Sequence, residues 1–416
     1  MKLGLLSQWY DPETGPASLP GVYAREFSKQ GHEVRVLTGF PNYPDGKLYP
    51  GYSLKPRLRE THGDVEVTRV ALYPNHSHSA IGRALNYASF GLSATALGSG
   101  SLRGVDAIWV YNSPVTVAAP MLAHSKFGQV PVFLHVQDLW PDSLVESGMF
   151  PTGSLGQRLA RVVAALVRLT ERKSAVIGVI SEGVRDLILE RNPDIDPSKV
   201  VYVPNPTNEE LFRPVSELRS QAGIEKHQGG PVEVLYAGAI GEVQGLDVLI
   251  DAASSLMNRP DIRFTLVGDG ISRARLEARA KQEGLTNVTF TGRVPQDAVP
   301  GLMARADIQL VSLASRPFLA HTTPSKIPSL LASEVPILAA LEGDGANMIK
   351  DSGGGIVVPP GSADALAAAI RHLADAGPEA LEAMGRTGRT FYMEKLSARA
   401  AASKITKALD SVMTRR

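Results

Sequence analysis

The chain of 416 residues has no cysteine, which removes disulfides, thiolate nucleophiles and cysteine-ligated metals from consideration. It also lacks an excess of charge: Lys and Arg number 43 and Asp and Glu 42, for a formal net charge of +1. Recognition of an anion must then be local, and nothing global points to nucleic acid. No apolar run approaches the ~20 residues of a membrane span. The opening Met1-Lys2-Leu3-Gly4-Leu5-Leu6 gives way at once to polar and turn residues, too soon for a signal peptide. A cytoplasmic protein is expected, with attachment to the inner face of the cell membrane left open. There is no GxxxxGK[ST] phosphate loop, no clustered carboxylate site for a divalent cation, no short repeat and no low-complexity segment.

What is present is alternation. Apolar, β-branched runs predict strands at 3–6, 33–38, 65–71, 107–111, 130–136, 175–180 and 200–204, with helical patterns at 84–97, 115–126 and 155–172. The Pro-, Gly- and Tyr-rich stretch 42–59 reads as a long loop. A second series predicts strands at 232–237, 263–267, 288–291, 308–311, 337–340 and 355–358, and helices near 245–257, 271–284, 296–305 and 363–374. Two series of similar size predict an α/β protein with two doubly wound, Rossmann-like domains facing across a cleft, ligands lying beyond the carboxyl ends of the strands. The expected boundaries are 1–205 for the first domain, 206–230 for a polar connector, 231–390 for the second domain and 391–416 for a final helix.

The sharpest local signal is Thr322-Thr323-Pro324-Ser325-Lys326. Ser325 can cap a short helix whose third position is Pro328, where no N–H is missed. Lys326 then sits at the positive end of the helix dipole, a conflict that an anion between them would resolve; a solvated lysine pointing away is the plain alternative. Gly238, Gly241 and Gly245 follow a strand and open a helix, so backbone there could approach a phosphate, although a tight turn needing glycine for packing has the same pattern. Gly268 ends the next strand and Arg293 follows the one after; each could meet a base or phosphate, or be an ordinary turn and surface residue. Gly15 lies in the loop after the first strand, where a ligand would be. His135 and Asp138, three apart at a strand's carboxyl end, could contact substrate hydroxyls or move a proton, or be hydrogen-bonded in the core; His321 has the same two readings. The helix 155–172 carries Arg158, Arg161, Arg168 and Arg172 close to one face, suited to an anionic bilayer or simply to solvent. The stretch 84–97 is apolar enough to be a second contact surface, but its many small residues suit internal packing.

In order, Pro12-Glu13-Thr14-Gly15, Lys29-Gln30-Gly31-His32-Glu33-Val34, Leu37-Thr38-Gly39-Phe40-Pro41-Asn42-Tyr43-Pro44, the stretch 135–142, Val203-Pro204-Asn205, the loop 238–246 and Pro324-Ser325-Lys326 resemble glycosyltransferase family 4. The nearest branch makes colanic-acid and O-antigen type polysaccharides, and the resemblance spans nearly the whole chain. It implies the GT-B fold, a nucleoside-diphosphate sugar held mainly by the C-terminal domain, and an acceptor held mainly by the N-terminal one. It also implies transfer with retention of configuration, no metal, no cofactor, and a last helix that braces the N-terminal domain. Carried onto this sequence, the donor set is Gly15, Gly238, Gly241, Gln244, Gly245, Gly268, Arg293, His321, Thr323, Ser325 and Ser329. The acceptor set is Glu13, Asp138 and Asn205. His135 would position the sugar, and Lys326 would stabilise the leaving diphosphate.

Three departures stand out. Family members often carry two glutamates eight positions apart, the second holding the ribose hydroxyls; here those positions are His321 and Ser329. The basic pair common in the glycine loop falls on Ala239 and Gln244, which leaves the diphosphate to Lys326, Arg293 and backbone N–H groups. The glycine usual two residues before Pro336 is Glu334. Three functions stay open: a transferase acting on a lipid-linked sugar at the membrane in cell-surface polysaccharide synthesis, one glycosylating a soluble small molecule such as a secondary metabolite, and an inactive protein that only binds nucleotide or glycan.

Overall fold

The computed structural model describes residues 1–76, 79–98, 100–141, 153–224, 230–316, 319–320 and 323–415. They form two compact units, one of Met1–Asn205 with Ala398–Arg416 and the other of Pro206–Ser397.

The first unit is built on β1 (Lys2–Leu6), β2 (Glu33–Gly39), β3 (Arg57–His62), β4 (Val65–Val70), β5 (Ala107–Asn112), β6 (Val132–Val136), β7 (Val176–Val179) and β8 (Val200–Tyr202). Their order in the sheet is β3-β4-β2-β1-β5-β6-β7-β8, parallel except for the β3–β4 pair. Alternation decides which layer each side chain joins. Leu3 and Leu5 enter one with Tyr23, Phe27, Trp109 and Phe133, while Leu6 enters the other with Leu37, Phe90 and Leu134. The helix Ala398–Thr414 adds Ala401, Ala402, Ile405 and Leu409 to the first layer. It starts at Ala398 rather than at 391, because Tyr392–Leu396 forms a π-turn of the second unit.

Strand β3 begins within the stretch 42–59 expected to be a loop and runs three residues beyond it. Arg57-Leu58-Arg59-Glu60-Thr61-His62 is too charged to register as an apolar run. Its turn is nonetheless a two-residue Gly63-Asp64 hairpin, with His62 opposite Val65 and Gly63 at φ +59°. A charged edge strand also resists pairing with other chains.

The second unit carries β9 (Val232–Ala237), β10 (Ile262–Val267), β11 (Val288–Gly292), β12 (Ile308–Ser312), β13 (Ile337–Ala340) and β14 (Gly355–Val358). Their order is β11-β10-β9-β12-β13-β14, parallel throughout. The expected polar connector 206–230 is corrected, since Val215–Ala222 is a helix of this unit. Val215 is buried, and Arg219 donates to the carbonyls of Ala304 (2.7 Å) and Ala306 (3.0 Å), closing the end of the helix Val299–Arg305. An arginine rather than an apolar stripe anchors this helix, so periodicity misses it. Glu334, where the family resemblance implies glycine, adopts φ +59°, the left-handed region glycine enters without strain. Its carboxylate accepts from Ser216 Oγ (2.8 Å) and pairs with Arg389 Nε (3.5 Å), contacts that offset a backbone cost of roughly 1–2 kcal/mol.

Candidate active site

In the second unit the carboxyl ends of β9, β10 and β11 meet through backbone alone. Gly238 has φ +156° and Gly268 φ +140°, and a Cβ on Gly268 would stand 1.8 Å from the Gly238 carbonyl oxygen. Gly268 N–H donates to Gly292 O, Gly238 N–H to Val267 O and Ile240 N–H to Asp269 O, each at 2.9 Å. On the far flank, Gln244 Oε1 accepts from Gly241 N–H at 3.1 Å, and Gly245, at φ +59°, packs against Ala314. The loop is closed on both sides. Gly268→Ala should force this junction apart and lower nucleotide affinity about tenfold, the equivalent of ~1.4 kcal/mol of local strain. Titration calorimetry would read the loss, and unchanged affinity would separate the junction from the ligand.

Lys326 reaches into this junction from the first turn of the helix Lys326–Ala332. Its Nζ lies 4.2 Å from the centroid of the Tyr236 ring, donates to Ala237 O at 3.1 Å, and would stand 2.7 Å from a Cβ on Gly238. No carboxylate pairs with it among the described residues, and burial pushes its pKa down to about 8. An ammonium held this way gains strongly from an arriving phosphate. Thr323 Oγ1 is buried without a partner among the described residues. Ser325 does not cap the helix through its side chain. Its backbone is already helical, φ −58° and ψ −18°, so the hydroxyl is not presented to the first N–H groups. Ser329 Oγ bonds Thr207 Oγ1 at 2.6 Å, and Thr207 N–H donates to Tyr392 OH at 3.1 Å. Hydroxyls thus stand where the family resemblance implies a glutamate. Arg293 is exposed. His321 and Thr322 lie outside the described residues.

Two cations escaped the sequence reading. Arg273 lays its guanidinium 3.2 Å from where a Cβ on Gly292 would be and pairs with Asp269 (3.9 Å) and Glu277 (3.7 Å); the spacing Gly268-Asp269-Gly270-x-x-Arg273 was its signal. Arg316 pairs with Glu242 of the glycine loop at 3.9 Å, and no motif pointed to it.

In the first unit, the role given to His135 is corrected. Fully buried, it lies with its ring 5.7 Å from Tyr23 and Trp109 and 6.0 Å from Phe133. Its Nε2 donates to Val203 O at 2.9 Å, and burial pushes its pKa down to about 4. It shares a face with Phe133 because both are odd-numbered on β6, and its Nδ1 is buried without a hydrogen-bond partner among the described residues. Glu13 is likewise inward: its carboxylate accepts from the N–H groups of Tyr10 (3.1 Å), Asn42 (2.8 Å) and Tyr43 (2.9 Å). Asn205 exchanges amide hydrogen bonds with Gln137 at 2.6 and 3.3 Å. Asp138 stays half-exposed, accepting from Ser113 Oγ at 2.7 Å, and burial raises its pKa. Gly15, at φ +65°, is exposed, and a Cβ there would meet nothing within 4 Å.

Around Asp138 the sequence reading missed a wall of half-buried rings. Trp9 lies 5.8 Å from Tyr43 and 6.5 Å from Tyr87, and His76 lies 5.1 Å from Tyr43. Asp138 acts electrostatically on Tyr87. Behind the rings a buried amide chain runs from Gln8 through Asn86 to Asn42, at 2.7 and 3.2 Å. Rings with apolar faces and polar edges suit a polyhydroxylated ligand with C–H surfaces. The first unit can therefore hold a sugar-like molecule, and the second a diphosphate.

Residues 231–376 match the family model described as glycosyl transferases group 1, and residues 14–206 the glycosyl transferase 4-like domain. WcaI of Escherichia coli (strain K12), named as a colanic acid biosynthesis glycosyl transferase, is 30% identical over 89% of this chain and 91% of its own. The 2-deoxystreptamine glucosyltransferase of Streptomyces kanamyceticus is 27% identical over 63% of this chain and 64% of its own. The crystal structure of Anabaena Alr3699/HepE in complex with UDP and glucose is 17% identical and superposes with a TM-score of 0.61, covering 99% of this chain and 100% of that one. Such neighbours show the GT-B fold. Two matched domain models and a relative alike along nearly its whole length place this chain in glycosyltransferase family 4.

Proposed function

We propose that the protein transfers a sugar, with retention of configuration and without a metal, from a nucleoside-diphosphate sugar to a hydroxyl of a lipid-linked glycan in cell-surface polysaccharide synthesis. The observation that carries this is Lys326, a desolvated cation without a carboxylate partner among the described residues, set where three strand ends meet through the backbone of Gly238, Gly268 and Gly292. As the bond from the sugar's anomeric carbon to the diphosphate oxygen breaks, negative charge grows on the diphosphate, and the Lys326 ammonium and nearby N–H groups stabilise it. Arg273 and Arg316 add positive charge nearby. No group of three metal-ligating side chains occurs among the described residues. Retention rests on the family resemblance, and the anomeric configuration of the product by NMR checks it. On the acceptor side, Asp138 and the ring wall orient the hydroxyl. The colanic acid assignment in the name of WcaI favours a polysaccharide acceptor. The exposed arginines of the helix Ser154–Lys173 favour peripheral contact with the cytoplasmic membrane face, and no described helix is long and apolar enough to cross it.

A soluble small-molecule acceptor is the second reading, favoured by the 2-deoxystreptamine relative. Transfer onto an aminocyclitol but not onto a lipid-linked sugar would establish it.

A thermal-shift panel of UDP, GDP, dTDP and ADP tests the donor site. A binder at a hundred times its Kd stabilises the fold by about 2.7 kcal/mol. With Ser329 and Thr207 in place of a ribose-clamping carboxylate, dTDP should stabilise at least as well as UDP. No shift with any of the four would sink the nucleotide-sugar reading.

A further inference from the structure

The helix Ala80–Ala96 turns much of its apolar surface outward. Phe90 and Ala94 are buried, but Ile81 is 74% exposed, Leu85 53% and Leu92 72%. Ala84, Ala88 and Ala96 are exposed with them, making one stripe at helical spacing. Beside it runs a shallow groove of about 460 Å³, lined by Ala71, Leu72, Leu92, Ala96 and Leu97 together with Ser89 and Ser93. The sequence left this stretch between internal packing and a second contact surface, and the structure buries only one side of it. A contiguous apolar surface of this kind calls for a cover.

Its neighbours indicate which cover. The helix Ala118–His124 packs against both Ala80–Ala96 and Ser154–Lys173, so the three lie side by side on one face of the first sheet. The turn that follows carries Lys126 at φ +51° and Phe127 at φ +56°, with the Phe127 residue 64% exposed. That turn is fixed on both flanks: His124 Nε2 bonds Ala94 O at 3.0 Å, and a Cβ on Gly128 would stand 2.8 Å from Lys173 O. On Ser154–Lys173, exposed Arg158, Arg161 and Arg168 surround exposed Val162 and Leu169. The only acid on that helix, Glu171, is buried against Arg191 and Asn192. The helices Ala80–Ala96 and Ala118–His124, and the turn 125–129, contain no acid. An apolar ridge bordered by cations and without acids of its own is complementary to an anionic bilayer, apolar below and negative at its surface.

We propose that this face seats the protein on an anionic bilayer, with Ile81, Leu85, Leu92 and Phe127 among the acyl chains and the arginines of Ser154–Lys173 at the headgroups. It rests on the reading of the acceptor as lipid-linked, which it deepens by bringing the enzyme to the plane where such an acceptor displays its sugar. The test is flotation of the full chain with phosphatidylglycerol/phosphatidylethanolamine vesicles and with phosphatidylcholine vesicles, scored beside donor turnover in solution. The wild type should float with the anionic vesicles. The variant Ile81→Ser, Leu85→Ser, Leu92→Ser should bind at least about tenfold more weakly at both low and high salt, since the lost affinity is apolar burial. The variant Arg158→Gln, Arg161→Gln, Arg168→Gln should bind about a hundredfold more weakly at low salt only, at ~1 kcal/mol per cation near the surface. Both should keep the solution turnover and circular dichroism of the wild type. A turning-over enzyme that ignores anionic vesicles, or a serine variant that binds them as the wild type does, overturns the surface. So does sedimentation showing a wild-type dimer that the serine variant dissolves without any vesicle binding, which would assign the ridge to a second copy. Vesicle binding by a protein that transfers no sugar would instead strike the proposed function and leave the surface standing.

Discussion

Lys326→Ala is expected to lower kcat about a hundredfold, the scale on which an enzyme loses one preorganised group facing developing negative charge. The size follows from position. The Nζ is fixed between the Tyr236 ring and Ala237 O at the point where Gly238 leaves room for nothing larger than hydrogen. The other nearby cations are engaged or exposed: Arg273 is shared with Asp269 and Glu277, Arg316 faces Glu242, and Arg293 is exposed. Lys326→Met is the companion variant, because it keeps the stem on Tyr236 and removes the charge alone. Since burial already holds the Lys326 pKa down to about 8, the methionine variant should melt no lower than the wild type while sharing the loss in turnover. The same pKa fixes a pH dependence. The ammonium is the working form, so kcat/KM should fall as pH rises through about 8, and that limb should vanish in the methionine variant. Near-normal turnover in either variant would remove Lys326 from the mechanism.

Glu13→Ala should cost about 3 kcal/mol or more, because it strands two buried backbone N–H groups and one half-buried one at roughly 1–3 kcal/mol each. Those donors belong to Tyr10, Asn42 and Tyr43. One carboxylate thus ties the loop after β1 to the loop after β2 and orients Tyr43 in the ring wall. Denaturant unfolding would show the loss, and acceptor KM should rise with it. Burial outweighs these hydrogen bonds and lifts the Glu13 pKa from 4.5 to about 7. The folded state therefore holds a proton that the unfolded chain has released. The group's contribution to stability is full below pH 4.5 and is lost as pH rises through about 7. Glu13→Gln should flatten that slope while keeping an acceptor for Asn42 and Tyr43. Parallel pH–stability curves for the two proteins would show that Glu13 does not titrate as assigned.

Periodicity made the two sheets legible because parallel strands buried on both faces are unbroken apolar runs, and β1, β5 and β6 are of that kind. It could not find β3 or Val215–Ala222, which are held by an edge hairpin and by an arginine. The meeting of glycine backbone and Lys326 in the second unit was legible since their conformational and charge requirements are local. His135 and Glu13 were not: the same residue types serve a substrate or a core according to which layer a strand's odd positions enter and where a loop's N–H groups end up. The ring wall stayed hidden for a related reason, because Trp9, Tyr43, His76 and Tyr87 come from four separate segments and meet only in the fold. The apolar 84–97 stretch showed the limit from the other side, since composition reported its hydrophobicity but not its outward direction.

The helix Ala398–Thr414 belongs to the unit whose strands come first in the chain. During synthesis the eight strands of that unit leave the ribosome early, yet the layer that receives Ala402, Ile405 and Leu409 cannot close until the last helix emerges. The intervening unit, contiguous from Pro206 to Ser397, can finish folding sooner. Birth order and completion order are thus reversed, and a ribosome that stalls shortly before Ala398 would release a finished second half beside a first half with its aromatic layer still open to water.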